Sequence, residues 1–106
     1  MVYFIQASDE RGFIKIGYSR DVYKRLSALQ CGSPVGLVIL GVIHGSYGTE
    51  AAIHKLLKKY RIHSEWFLPS KLVLHYISVL LDVEKSLEDF KKRRVEKYLI
   101  DFEVIA

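Results

Sequence analysis

Two short runs of β-forming residues flank a polar turn, and this arrangement constrains the fold more than any other feature of the chain. Val2 to Gln6 is apolar and rich in strand formers. Phe13 to Tyr18 alternates, with Phe13, Lys15 and Gly17 on one side and Ile14, Ile16 and Tyr18 on the other. The connector Ser8-Asp9-Glu10-Arg11-Gly12 is polar and has glycine at its end. Two such runs about a short glycine-containing loop predict an antiparallel hairpin.

The next segments alternate helical and extended patterns. Asp21 is placed to cap a helix from Val22 to about Gln30. Val22, Leu26 and Leu29 lie at i, i+4 and i+7 and form its buried stripe, with Lys24 and Arg25 off that stripe. Cys31-Gly32-Ser33-Pro34 ends it. Leu37 to His44 is a continuous apolar run that predicts a third, central strand. Thr49 follows the turn Gly45-Ser46-Tyr47-Gly48 and is read as the cap of a helix from Glu50 to about Tyr60. On that helix Glu50, His54 and Lys58 share one face. Arg61 to Phe67 is mixed and compatible with a short strand.

Pro69-Ser70 opens a long helix whose stripe, Val73, Tyr76, Ile77, Leu80, Leu81, Leu87 and Phe90, extends to roughly Arg94. Tyr98 to Ile105 alternates around Asp101 and Glu103 and resembles a strand. The expectation is an α+β fold: a small three-stranded antiparallel sheet flanked by helices, plus a long C-terminal helix. Residues 1–68 form the expected domain, and residues 69–106 a tail for packing or dimerisation.

Composition then excludes several classes. At 106 residues the chain suits one core and is short for two. Its single cysteine, Cys31, excludes a disulfide framework and a Cys-rich zinc site, and suits a reducing compartment. No apolar run approaches the roughly 20 residues of a membrane span. No signal peptide is visible at the N-terminus, so a cytoplasmic setting is expected. The net charge of +4 is unevenly distributed. Up to Phe67 nine basic residues face five acidic ones, whereas from Leu68 onward the count is seven against seven. The whole excess therefore sits in the first two thirds of the chain, which fits a nucleic-acid partner.

Tyr3 with Phe4 on the first run, Lys15-Ile16-Gly17 twelve residues after Tyr3, Arg25-Leu26-Ser27-Ala28-Leu29-Gln30, Ser33-Pro34, Glu50 to His54 and Glu65-Trp66-Phe67 occur in order across about residues 2–67. In that conjunction the chain resembles the GIY-YIG nuclease superfamily, and within it the small phage and bacterial branch. The resemblance implies a three-stranded antiparallel sheet with flanking helices and metal-dependent cleavage of phosphodiester bonds, DNA before RNA. It implies Mg²⁺ or Mn²⁺ as cofactor, held by Glu50 with several waters, a normal way to bind this hard cation.

The resemblance also assigns roles. Tyr3 matches the first-strand tyrosine and would act on the attacking water once Lys15 and Arg25 depress its pKa. Lys15 stands where the namesake motif has its second tyrosine, a departure that some members share. It would hold a phosphate oxygen or tune Tyr3. Gly17 matches the motif glycine. Tyr18 stands near the place where some members carry a histidine. Arg25 matches the helix arginine that grips phosphate bidentately. Leu29 stands one turn later, where many members have His or Tyr. His54 would orient water or phosphate. Arg20, Lys24 and Lys58 join Arg25 as expected nucleic-acid contacts.

Three functions follow as expectations. The first is a metal-dependent endonuclease. The second is a non-catalytic nucleic-acid-binding or scaffold domain, to which Lys15 and Leu29 point. The third is a protein-interaction module, including homodimerisation, through the C-terminal helix and the strand-like tail.

Overall fold

Val2–Ala7 forms β1 and Ile14–Tyr18 forms β2, paired antiparallel with Val2 opposite Tyr18, Tyr3 opposite Gly17 and Ile5 opposite Lys15. The computed structural model describes the backbone of residues 1–105 and the side chains of residues 1–92. Gly12 closes the expected hairpin with φ of 59°, a left-handed conformation that glycine adopts at no steric cost. Asp9 Oδ1 accepts a hydrogen bond from its N–H at 3.1 Å.

Helix α1 (Val22–Cys31) starts at Asp21, whose side chain accepts from Lys24 N at 3.0 Å. Strand β3 (Leu37–Ile43) pairs antiparallel with the other side of β1. It lies at a sheet edge rather than in the centre, because the strand order is β3-β1-β2-β5-β4. Its continuous apolar pattern has another cause: Leu37, Ile39 and Val42 pack towards α1, and Leu40 and Ile43 towards the opposite face. A bulge between Phe4 and Ile5 of β1 resets the register, so that Gly41 faces Phe4 and Ile39 faces Ile5.

Helix α2 (Tyr47–Leu56) begins three residues earlier than the sequence pattern indicates. Ser46 is its N-cap, accepting from Gly48 N at 3.1 Å, and Thr49 accepts from Ser46 N at 3.1 Å. Together they close a capping box with Thr49 at its third position. The helix ends at Leu56, and a 3₁₀ turn spans Lys58–Tyr60.

The expected three-stranded sheet is five-stranded. Arg61–His63 is β4 and Trp66–Phe67 is β5, joined by a tight turn with Ser64 at φ 51°. β5 docks on β2 with Lys15 opposite Trp66, and Ile16 N donates to Glu65 O at 3.0 Å. Every pairing in the sheet is antiparallel.

Helix α3 (Lys71–Ile105) starts at Ser70, whose Oγ accepts from Val73 N at 3.2 Å. It continues past Arg94, and the segment Tyr98–Ile105 expected as a strand is helical. No glycine or proline interrupts residues 71–105. At about 1.5 Å per residue α3 is the long axis of a molecule measuring 58 × 29 × 24 Å. Among the described residues no helix is long and apolar enough to cross a membrane.

The sheet separates two cores. On one face Phe4, Ile14, Ile16 and Phe67 pack with Ile53 of α2, with Leu57 just past its end, and with Val73 and Ile77 of α3. On the other, Tyr3, Ile5 and Val22 form a smaller cluster beneath α1. The opening turns of α3 therefore belong to the core, and burial of each large apolar side chain there contributes roughly 1.5–3 kcal/mol. Beyond Leu81 the helix leaves the body. Val83, Leu87 and Phe90 are at least half exposed, so Leu87 and Phe90 of the expected stripe are not core residues. His44, just past β3, ties down α3 where it departs: its N–H donates to Glu84 Oε1 at 3.1 Å, and its Nδ1 bonds the same oxygen.

Candidate functional site

The site grows from the cross-strand pair Tyr3 and Gly17. Tyr3 is fully buried on the α1 side of the sheet, yet its Oη has no hydrogen-bond partner among the described residues. The phenol reaches its position by crossing the backbone of Gly17. A Cβ on that residue would lie 2.3 Å from Tyr3 Oη and 2.4 Å from Cζ. Only glycine permits this approach. The Arg25 guanidinium, on the exposed flank of α1, lies close enough to favour the phenolate without making a hydrogen bond of ordinary geometry.

Two residues further along the same face of β2, Lys15 Nζ pairs with Glu65 at 2.9 Å and sits 5.5 Å from the centre of the Trp66 ring. The α2 helix brings Glu50 and His54 to the same edge. His54 Nε2 donates to the backbone oxygen of Ile16 at 2.7 Å, and the ring meets Phe67 edge-on. That bond commits Nε2, and in the neutral imidazole it leaves Nδ1 as the free acceptor. Glu50 Oε1 lies 3.6 Å from His54 Nε2.

A family model, the T5orf172 domain, matches residues 1–82. The chain belongs to the T5orf172 domain family. No curated protein and no solved structure matches the chain. The matched span takes in the whole sheet, α1, α2 and the part of α3 that packs on the body.

Within this T5orf172 domain the electrostatics run against the simplest expectation for Tyr3. Burial pushes its pKa up, Glu65 and more weakly Glu50 push the same way, and Arg25 alone opposes them. Lys15, paired with Glu65, is not among the groups that move the phenol. Glu50 is also held above the ordinary carboxylate range, first by burial and then by the Glu65 carboxylate; His54 and Lys15 offset this in part. Two carboxyl groups thus share one half-buried edge with a single lysine between them.

The structure brings Tyr3, Lys15, Arg25, Glu50 and His54 together. Glu65 joins them: of the two places its position before Trp66 and Phe67 suggests, beside the site or paired with Lys15 or Arg25, it takes both, through its ion pair with Lys15. The other expected positions lie elsewhere. Tyr18 meets Tyr47, one turn before Glu50, with ring centres 4.1 Å apart and ring planes tilted by 47°. Arg20 and Lys24 are exposed around the start of α1. Lys58 does not share the Glu50–His54 face, since α2 ends at Leu56 before the third turn of the pattern is complete. Away from this cluster, His44, Glu84 and Glu88 bring one ligand atom each within 4.8 Å of one another.

Proposed function

We propose that this T5orf172 domain is a metal-dependent phosphodiester hydrolase of the GIY-YIG type, an endonuclease acting on DNA. The observation that carries the reading is the convergence of Tyr3, Arg25, Lys15 and Glu50 around Gly17, with a buried phenol that lacks a hydrogen-bond partner among the described residues. An unsatisfied buried hydroxyl costs stability, and such groups persist where they serve chemistry. Membership of the family supports a nuclease or nucleic-acid-related role. The basic excess of residues 1–67 supports the same class of partner.

The donor set fits a hard divalent cation. Glu50 and Glu65 are crowded carboxyl groups with too little positive charge between them, and Mg²⁺ or Mn²⁺ relieves such crowding while keeping most of its waters. When bound at Glu50, the ion would polarise the phosphoryl oxygens and make a water more acidic. The remaining work falls to side chains. The Arg25 fork faces solvent and can grip a non-bridging phosphate oxygen pair. Lys15 exchanges its Glu65 partner for phosphate. Tyr3, neutral in the resting arrangement, becomes a proton acceptor for the attacking water when added cations outweigh the burial that raises its pKa. His54, whose ring lies beside Glu50, orients the water or its proton.

A non-catalytic nucleic-acid-binding domain is the second reading, favoured by the closed Lys15–Glu65 pair and the neutral phenol. Pairing of two copies through the exposed apolar residues of α3 and a cytoplasmic setting complete the proposal. The decisive experiment incubates purified protein with single-stranded DNA, duplex DNA and RNA in Mg²⁺ or Mn²⁺. DNA cleavage that is lost in Glu50→Ala and in Arg25→Ala supports the hydrolase. Intact substrates across metals and concentrations overturn it, and binding without cleavage selects the second reading.

A further inference from the structure

The face of the sheet that carries Tyr3, Gly17 and Lys15 does not end at Lys15. Phe13 precedes Lys15 by two residues, about 6.6 Å along the same side of the chain. Opposite Lys15 stands Trp66, itself paired with His63 on β4. Beyond Trp66 opens a groove of about 300 Å³ lined by aliphatic side chains, by the aromatic rings of Phe13 and Trp66, and by the polar groups of Asp9, Arg11 and His63. Trp66 is shared: it lines the groove and also lies beside the Lys15 ammonium.

We propose that this groove takes one unstacked nucleobase of a single-stranded nucleic acid whose neighbouring phosphate is held at Lys15 and Arg25. The chemistry selects this occupant. Aromatic walls suit a planar π-face, and the Arg11 guanidinium, with the His63 imidazole as a further hydrogen-bonding group, suits the backbone beside it. An aliphatic ligand would use the aliphatic lining but leave Arg11 and His63 without a partner. The continuity through Trp66 places the base next to the phosphate position, as neighbouring nucleotides require. A base inside a duplex is paired and stacked and does not reach such a wall without being flipped. The groove therefore makes single strands, flaps or frayed ends the preferred substrate class. This inference rests on nucleic acid being the ligand, as proposed above, but not on its being cut.

Trp66 is the sole tryptophan of the chain, so its fluorescence reports the groove directly. The experiment titrates the full chain, with EDTA present, against a short single-stranded DNA, the RNA of the same sequence, the same DNA made abasic, and the blunt duplex. The expected result is quenching by intact single strands, with the abasic strand bound about tenfold more weakly, the value of one stacked base. Phe13→Ala, checked for folding by circular dichroism, and the exposed substitution His63→Ala both reduce single-strand affinity while leaving duplex binding unchanged. Quenching by DNA, by RNA or by both supports the groove and identifies the sugar. Equal quenching by abasic or duplex DNA, or unchanged single-strand affinity in both variants, overturns it. Cleavage of duplex without base-dependent quenching keeps the hydrolase and removes the groove. Base-dependent quenching without cleavage in metal does the reverse.

Discussion

Tyr3 lies across Gly17, with its hydroxyl where a side chain on that residue would begin. The two face each other on neighbouring strands. The same contact that fixes the phenol beside Arg25 and Glu65 also makes β2 intolerant of substitution there. Fold and candidate chemistry are thus coupled at one backbone position.

Gly17→Ala tests that coupling. Its Cβ meets a fully buried ring that has no space to retreat into, so the protein loses about 1–3 kcal/mol by overpacking. Any relaxation moves the Tyr3 hydroxyl, and a shift of about 1 Å at a reacting group costs roughly 100-fold in rate. Thermal unfolding and cleavage assays on one preparation check both. Full activity in a folded Gly17→Ala protein would remove Tyr3 from the mechanism.

Glu50→Gln is expected to stabilise the metal-free protein. The Glu50 pKa is raised, first by burial and then by Glu65. A carboxyl raised in the folded state stabilises the fold while protonated and opposes it once pH has risen through the folded value. Removing the charge therefore gains about 1 kcal/mol at neutral pH and nothing in strong acid. The Tm increase that Mg²⁺ gives the parent by mass action disappears in the variant. A lower Tm for Glu50→Gln in EDTA would refute this account of the crowded carboxyl pair.

The His44–Glu84 contact predicts the opposite pH dependence. Hydrogen bonding from the His44 side chain, set against a smaller cost of burial, holds the Glu84 carboxyl below its ordinary range. A depressed carboxyl contributes stability above the unfolded pKa and loses it as pH falls through the folded value. Glu84→Gln should cost about 1 kcal/mol at neutral pH, and the gap to the parent should close on acidification. Chemical denaturation over a pH series measures it. A gap that is constant with pH would assign Glu84 a packing role instead.

Much of this was legible because local rules acted alone. The hairpin about Gly12 and the Asp21 cap follow from a few adjacent residues. The failures share a cause. β4 and β5 are three and two residues long, too short for a period of two to register, and a tertiary bond from Ile16 to Glu65 defines where the latter docks. Ser46 and Thr49 are both good caps, and only the closed capping box decides between them. β3 reads as central because helices cover both of its faces, which is a matter of layers rather than strand order. At the site, the residue types beside Tyr3 were visible, and so was Glu65 as a partner for Lys15 or Arg25, but not which of the two it takes. What single residues do not reveal is the depth of burial at the phenol, which raises its pKa more than any neighbouring charge, with the Glu65 carboxylate adding to it.

Tyr3→Phe separates these contributions most cleanly. The ring keeps its packing against Ile5, Val22 and the Gly17 backbone, so the core is unchanged. What leaves is a hydroxyl that is buried and has no partner among the described residues. A buried unsatisfied group costs about 1–3 kcal/mol, and its removal should raise stability by an amount near the lower end. If the hydroxyl acts on the attacking water, the same change lowers the cleavage rate by about 100-fold or more, the usual worth of general-base assistance. Equilibrium denaturation and single-turnover cleavage then move in opposite directions. A variant that is less stable would show that Oη has a partner in solution, and a variant that is more stable with an unchanged rate would show that the phenol is only a core side chain.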